Sequence, residues 1–299
     1  MPELPEVETV RSGLDQVLRG RRFLRVDQRR HDLRFPLPEH FAERLTGRTV
    51  KRLDRRAKYI LIHLDHGEVL VVHLGMTGRF SVATPSPRPS RGEGTRLGEY
   101  VHDHGGDAKH DHLLFTMSGG AVITYNDARR FGYMALVPET ELASHAYFAG
   151  LGVEPLSDEL SPAYLAGRAR GKKVDFKAFL MDQRIVAGLG NIYVCEALFR
   201  ARLSPFTSAA RLSTRTGKPT RHAGPLVAAI KSVLADAVRA GGSTLRDYKQ
   251  ADGSLGRFQN EFAVYGRESE PCPRQGCRGR VRRKTQGGRS TFYCPACQH

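Results

Sequence analysis

The sequence predicts an α+β multidomain chain: a β-sandwich behind an N-terminal helix, then a helical domain, then a short metal-bound tail carrying a β-hairpin. Three observations carry the prediction. Short β-prone segments recur between Phe23 and Val137, the apolar spacing becomes helical after about Ala149, and four of the five cysteines fall in the last 28 residues. At roughly 150 residues per domain, 299 residues suffice for two cores.

Taken in order, Val7, Val10, Leu14, Val17 and Leu18 recur at helical spacing after Pro5 and early glutamates, which predicts an amphipathic opening helix. Strands are expected at Phe23 to Asp27, Val50 to Leu53, Tyr59 to Leu64, Val69 to Leu74, Arg79 to Ala83, Leu113 to Met117, Ala121 to Tyr125 and Tyr133 to Val137. So many short strands, several joined by glycine turns, read as a sandwich or barrel. The stretch Thr84 to Asp107, rich in Pro, Gly, Ser and charge, reads as a long loop. Beyond Ala149, Phe176, Phe179 and Leu180, then Ile192 to Phe199, then Leu226 to Val238 show helical spacing. Between helical segments, Ala187-Gly188-Leu189-Gly190-Asn191 is a turn whose backbone can approach a phosphate closely. A second glycine-rich loop runs from Gly241 to Gly256, and the cysteine-bearing tail follows Gly266. The expected division is 1–149, 150–262 and 263–299.

Lys plus Arg exceed Asp plus Glu by 47 to 31, a net charge of +16, which points to a polyanionic partner and first to nucleic acid. Apolar runs such as Tyr59 to Leu64 fall far short of the ~18 to 20 residues that span a bilayer, so no membrane span is expected. The acidic, proline-broken start is no secretory signal, and a cytoplasmic protein is expected. Cys272, Cys277, Cys294 and Cys297 are spaced C-x4-C, sixteen residues, C-x2-C. In a reducing compartment that pattern favours one structural zinc over disulfides, because a short tail without its own core needs a metal to fold. Arg280 to Gln286 and Arg289 to Tyr293 flank Gly287-Gly288 as a hairpin. From Pro271 on, the tail holds seven Lys or Arg and no Asp or Glu, a basic finger suited to nucleic acid.

Initiator methionine is normally removed before a small second residue, which leaves Pro2 as a secondary α-amine. Such an amine, with a pKa of ~8, is partly neutral and nucleophilic at pH 7. Attack on a sugar C1′ would give a cationic iminium, an electron sink for eliminations. Glu3 and Glu6 stand beside it as candidate general acid and base, although Pro followed by acids is also an ordinary helix start.

Pro2-Glu3-Leu4-Pro5-Glu6-Val7-Glu8-Thr9, Arg55-Arg56-Ala57-Lys58-Tyr59, His73-Leu74-Gly75-Met76, Lys109-His110-Asp111-His112, Asp127-Ala128-Arg129-Arg130-Phe131-Gly132, Gly190-Asn191-Ile192-Tyr193 and Gly288-Arg289-Ser290-Thr291-Phe292-Tyr293-Cys294 occur in that order. Together they resemble the formamidopyrimidine-DNA glycosylase family, over nearly the whole chain. Two departures are the first cysteine pair, C-x2-C in the best-known members, and the long Thr84 to Asp107 loop.

The resemblance implies a helix-two-turn-helix domain ahead of the zinc-finger β-hairpin, and a DNA repair enzyme that removes oxidised purines such as 8-oxoguanine and formamidopyrimidines from damaged double-stranded DNA, acting as a monomer near the nucleoid. It implies Pro2 as Schiff-base nucleophile, Glu3 as the acid assisting base loss, Lys58 in β-elimination and phosphate contact, and Arg289 in δ-elimination. Met76, Arg129 and Phe131 match wedge residues that fill the gap left by an extruded nucleotide. His73, His110, Arg129, Lys173, Lys177 and Asn191 match DNA-backbone contacts, and Arg246 and Tyr248 fall where the family closes over the extruded base. The pyrimidine-directed endonuclease VIII typically begins Pro-Glu-Gly-Pro-Glu, and Leu4 with the His73 to Met76 motif favours the purine enzyme over it. A non-enzymatic zinc-ribbon nucleic-acid-binding protein would account for the charge and the finger, but not for Pro2-Glu3.

Overall fold

In the computed structural model, residues 2–84, 107–243 and 256–299 are described. Two compact units make up the chain, Met1–Ala149 with Gly241–Gly256, and Gly150–Ala240 with Arg257–His299. This partition departs from the sequence division in two places. The Gly241–Gly256 segment groups with the β-rich unit, and the finger groups with the helices.

The first unit opens with α1 (Leu4–Leu18), whose buried face, Leu4, Val7, Val10, Leu14 and Leu18, is the stripe read from the spacing. Among the described residues eight strands follow: β1 (Phe23–Gln28), β2 (Val50–Arg56), β3 (Tyr59–Leu64), β4 (Glu68–His73), β5 (Arg79–Ala83), β6 (Asp111–Met117), β7 (Val122–Asn126) and β8 (Tyr133–Pro138). They form two four-stranded antiparallel sheets, ordered β1-β6-β7-β5 and β2-β3-β4-β8. Leu53, Ile60, Ile62, Leu70 and Val72 of one sheet share a core with Phe23, Phe80, Phe115, Ile123 and Tyr125 of the other, so the expected sandwich is present.

β2 outruns its expected end at Leu53 because pairing, not hydrophobicity, sets strand length. Arg55 and Arg56 continue the ladder opposite Ile60 and Tyr59. Helix α2 (Phe41–Leu45) was not foreseen. It buries only Phe41 and Leu45, two residues that show no period.

The second unit contains α3 (Pro162–Ala169), α4 (Phe176–Met181), α5 (Asn191–Arg200) and α6 (Ala223–Arg239). Helix α3 also escaped the periodicity reading, yet its start is legible: Ser161 accepts a hydrogen bond from the Tyr164 N–H and Pro162 follows at the first helical position. The finger is the antiparallel pair β9 (Arg282–Gln286) and β10 (Arg289–Tyr293). Cys195 and Phe199 of α5 pack with Val264, Val281, Phe292 and the thiols Cys272 and Cys294, which is why finger and helices form one unit.

Two loops of the first unit touch at glycines. A Cβ on Gly75 (φ +64°) would lie 2.3 Å from the Phe131 carbonyl carbon, and one on Gly132 would lie 1.9 Å from Tyr125 Oη. No side chain fits either gap. Gly132→Ala is therefore expected to destabilise the chain by about 1 to 3 kcal/mol through overpacking, read as a lower urea midpoint at unchanged m.

Candidate active site and nucleic-acid interface

At the head of α1, Pro2 and Glu3 are buried, and the Glu3 N–H donates to Glu6 Oε2 at 2.9 Å. The other oxygen, Glu6 Oε1, accepts from the Ser243 N–H at 2.8 Å and the Ser243 hydroxyl at 2.9 Å. Glu6 thus ties the Pro2-Glu3 backbone to the point where the chain enters the 244–255 segment. At the other end of that segment, Gly256 approaches so closely that a Cβ would sit 2.4 Å from the Gly242 carbonyl oxygen. The sequence reading had Glu6 only as a candidate acid or base together with Glu3. The three-residue spacing from Glu3 was the available signal for its capping contact. Arg246 and Tyr248 lie outside the described residues.

Lys58 occupies the two-residue turn between β2 and β3 and is buried. Its neighbour Ala57 takes φ 52°, a left-handed conformation that glycine would hold without strain. His73, at the end of β4, stacks on Tyr133 (4.8 Å between ring centres, 13° between planes) and tilts against Tyr59. The Gly75 N–H donates to its Nδ1 at 3.1 Å. Burial, with the charges of Lys58 and then Arg34 behind it, pushes its pKa down to about 4. The ring is therefore neutral near pH 7, with its proton on Nε2 as a hydrogen-bond donor.

The three residues matched to a wedge by resemblance lie at the surface. Met76 is 40% and Phe131 38% exposed, unusual for large apolar side chains, and the Arg129 guanidinium lies 4.6 Å over the Phe131 ring. Their loops are clasped by Asp127, which is fully buried. One of its oxygens accepts from the Thr77 hydroxyl, the other from the Gly132 N–H at 2.8 Å, and Thr77 Oγ1 in turn accepts from the Arg129 N–H at 3.2 Å. Asp127 stands in the quoted motif, but nothing in its spacing reveals this clasp. His110 closes a single 3-10 turn, Ala108–His110, and its carbonyl accepts from the Asp127 N–H.

In the second unit Lys173 is exposed, whereas Lys177 is 2% exposed. The Lys177 ammonium donates to Thr291 Oγ1 at 2.6 Å and to the Ser290 carbonyl at 3.2 Å, and burial lowers its pKa. Asn191, first residue of α5, donates from Nδ2 to the same Ser290 carbonyl at 2.9 Å and to Tyr265 Oη. Both side chains brace the backbone beside Arg289, which is itself exposed after the glycine turn. Lys177 reaches the fingertip from beneath and does not face solvent. Glu196, 1% exposed, accepts from the backbone N–H groups of Ala263, Val264 and Tyr265. Sequence reasoning passed it over, since a glutamate inside an apolar helix carries no motif.

The four cysteine sulfurs lie within 4.8 Å of one another, with Cys272–Cys297 at 3.8 Å and Cys277–Cys294 at 3.7 Å. A disulfide is far shorter, whereas four sulfurs at about 2.3 Å from a tetrahedral zinc stand roughly 3.8 Å apart. Gly279 leaves room for the cluster, since a Cβ there would fall 2.9 Å from Cys294 Sγ. The donor set fits one structural zinc. Among the described residues no other group of three or more His, Cys, Asp and Glu side chains converges in this way.

Three family models match the chain: the formamidopyrimidine-DNA glycosylase N-terminal domain over residues 1–134, the H2TH domain of the same glycosylase over 151–249, and the zinc finger found in FPG and IleRS over 269–299. Proteins named formamidopyrimidine-DNA glycosylase from Methylobacterium sp. (strain 4-46) and Phenylobacterium zucineum (strain HLK1) are 55% and 56% identical, over 100% of this chain and 99% and 100% of theirs. The crystal structure of the MutM (Fpg) protein from Thermus thermophilus matches with a TM-score of 0.79 and 38% identity, covering 99% of this chain and 98% of that one. A Lactococcus lactis Fpg variant in complex with DNA containing Fapy-dG matches with a TM-score of 0.80 and 31% identity over 100% of both chains. Among the described residues no helix is long and apolar enough to cross a membrane.

The His73 geometry has a pH consequence. An unfolded histidine titrates near 6.5 and His73 at about 4, so as pH falls between these values the unfolded state takes up the proton first and stability declines. The ring resonances of His73 are expected to stay flat from pH 8 to 5.5 by NMR. A midpoint near 6.5 would overturn the neutral-donor assignment.

Proposed function

The chain belongs to the formamidopyrimidine-DNA glycosylase family, and from that premise we propose that it is a DNA repair glycosylase and abasic-site lyase that excises oxidised purines, 8-oxoguanine and formamidopyrimidines, from duplex DNA. The observation that carries this reading is the Pro2-Glu3 start, buried at the head of α1 and anchored by Glu6. With Met1 removed, the Pro2 amine attacks C1′ of the damaged nucleotide. The N–C1′ bond forms as the C1′–N9 bond breaks, the base leaving with the proton that the amine gives up, and Glu3 supplies the proton that opens the sugar ring at O4′. The resulting iminium acidifies the C2′ hydrogen. β-Elimination, assisted by Lys58, expels the 3′ phosphate, and δ-elimination, assisted by Arg289, expels the 5′ phosphate.

This attack requires the nucleotide to leave the stack, and Met76, Arg129 and Phe131 fill the space it vacates. His73, His110, Lys173 and Asn191 hold the backbone, with His73 as a neutral donor, while Lys177 acts on the fingertip from inside. Arg246 and Tyr248 read the extruded base. Phosphate contacts carry no sequence information, which suits an enzyme that scans all sequences in the cytoplasm, on the DNA of the nucleoid. The three segments 1–149, 150–262 and 263–299 serve as catalytic, DNA-binding and finger modules. The four cysteines would hold one zinc whose binding would fold the finger, and with all four donors thiolates it would supply structure and not a catalytic water.

Borohydride reduction on duplex containing 8-oxoguanine is expected to trap a covalent adduct at Pro2, absent when Met1 is retained. An adduct on a lysine, or none, would overturn the nucleophile. Arg289→Ala is expected to weaken binding to damaged duplex by about 1 to 3 kcal/mol and to make its salt dependence shallower by about one unit of slope, with one zinc per chain kept. Unchanged affinity and slope would remove Arg289 from the interface.

A further inference from the structure

Three adjacent strands carry one aromatic row toward the proposed site. Tyr59 opens β3, His73 closes β4 and Tyr133 opens β8, and the antiparallel register sets Tyr59 opposite His73 and His73 opposite Tyr133. Each stands near a residue assigned to the chemistry: Lys58 precedes Tyr59, Met76 lies three residues past His73, and Phe131 lies two before Tyr133. The His73 ring is held in two ways. The Gly75 N–H donates to Nδ1 at 3.1 Å, which fixes one atom and leaves the ring able to swivel about it. Tyr133 fixes the plane: the two rings lie 13° from parallel with centres 4.8 Å apart, while Tyr59 leans on the imidazole at 5.0 Å and 58°. Tyr133 is fixed in turn, being buried, edge-on to Phe35 at 5.3 Å, and joined through its hydroxyl to the Tyr59 hydroxyl at 2.8 Å. Burial raises the pKa of both phenols, so neutral hydroxyls make this bond.

A histidine that donates to a phosphate binds best when its ring is already ordered in the free protein, because no rotamer freedom is then lost on binding. We propose that Tyr133 is a positioning residue for DNA binding: its ring holds the His73 imidazole in the plane from which Nε2–H donates to the DNA backbone, and its hydroxyl locks that stack to β3 beside Lys58. The cross-strand row thereby keeps the phosphate donor and the lysine turn in one register. The inference rests on the reading of His73 as a backbone contact, and it adds a residue that acts through that ring and not on the reacting atoms.

The test is a double-mutant cycle on the full-length chain, read as affinity for duplex carrying a chemically reduced abasic site, which cannot form the Schiff base. Loss of a hydrogen bond to a charged group predicts that His73→Ala weakens binding about tenfold. Stacked aromatic pairs change an equilibrium about two- to tenfold, so Tyr133→Leu is expected to weaken it about fivefold, with Tyr133→Phe, which keeps the stack, within about twofold of the wild type. In the His73→Ala background Tyr133→Leu should cause no further loss, since the group it acts through is gone. Equal fractional losses in both backgrounds would mean packing alone and overturn the proposal, as would unchanged affinity in Tyr133→Leu or a Tyr133→Phe as weak as Tyr133→Leu. Should Tyr133→Leu fold poorly, Tyr133→Met fills the space without a ring and reads the same cycle. Wild-type affinity in His73→Ala would instead overturn the His73 contact beneath the proposal, and the proposal with it.

Discussion

Loop backbone amides shut away from water must find an acceptor inside the protein, and at three loops beside the proposed sites buried carboxylates supply it. Glu6, Asp127 and Glu196 are 2%, 0% and 1% exposed in a chain of net charge +16. Glu6 gathers the N–H groups of Glu3 and Ser243, Asp127 that of Gly132 with the Thr77 hydroxyl, and Glu196 those of Ala263, Val264 and Tyr265. One acid holds the N-terminus, one the loops that carry Met76 and Phe131, and one the approach to the finger.

The energetics favour this arrangement over surface ion pairing. Exposed pairs such as Arg25 with Asp27 contribute little, since water screens both partners. A buried carboxylate that accepts two or three N–H bonds instead settles its own desolvation and that of the amides together, and removing it leaves all of them unpaired. Glu196 shows the balance directly: burial raises its pKa, and the bonds from Tyr265, Val264 and Ala263 pull it back.

Around these anchors the chain turns sharply beside several of the proposed site residues. Ala57 and Arg130 both take positive φ, 52° and 53°, beside Lys58 and between Arg129 and Phe131 respectively, positions where a rigid sandwich absorbs local strain. The finger follows the same plan in the second unit: Lys177 and Asn191 spend their donors on the Ser290 carbonyl and leave Arg289 exposed at the tip.

By itself the sequence determined the elements whose signal is local. The α1 stripe, the eight strands, the glycine turn of the finger and the cysteine spacing all arise from periods or offsets of a few residues, and the ordered motifs identified the family. Short elements such as α2 were lost because two buried residues make no period. Tertiary structure alone decided which distant groups meet: Glu6 with Ser243 across 237 residues, Lys177 with Thr291 across 114, and Arg274 with Phe199 across 75. Hydrophobic patterning specifies which face of an element is buried, whereas a buried donor's acceptor is fixed by the path of the chain through space, so Lys177, matched by resemblance to a DNA-backbone contact, emerges in the fold as an internal strut against Ser290 and Thr291.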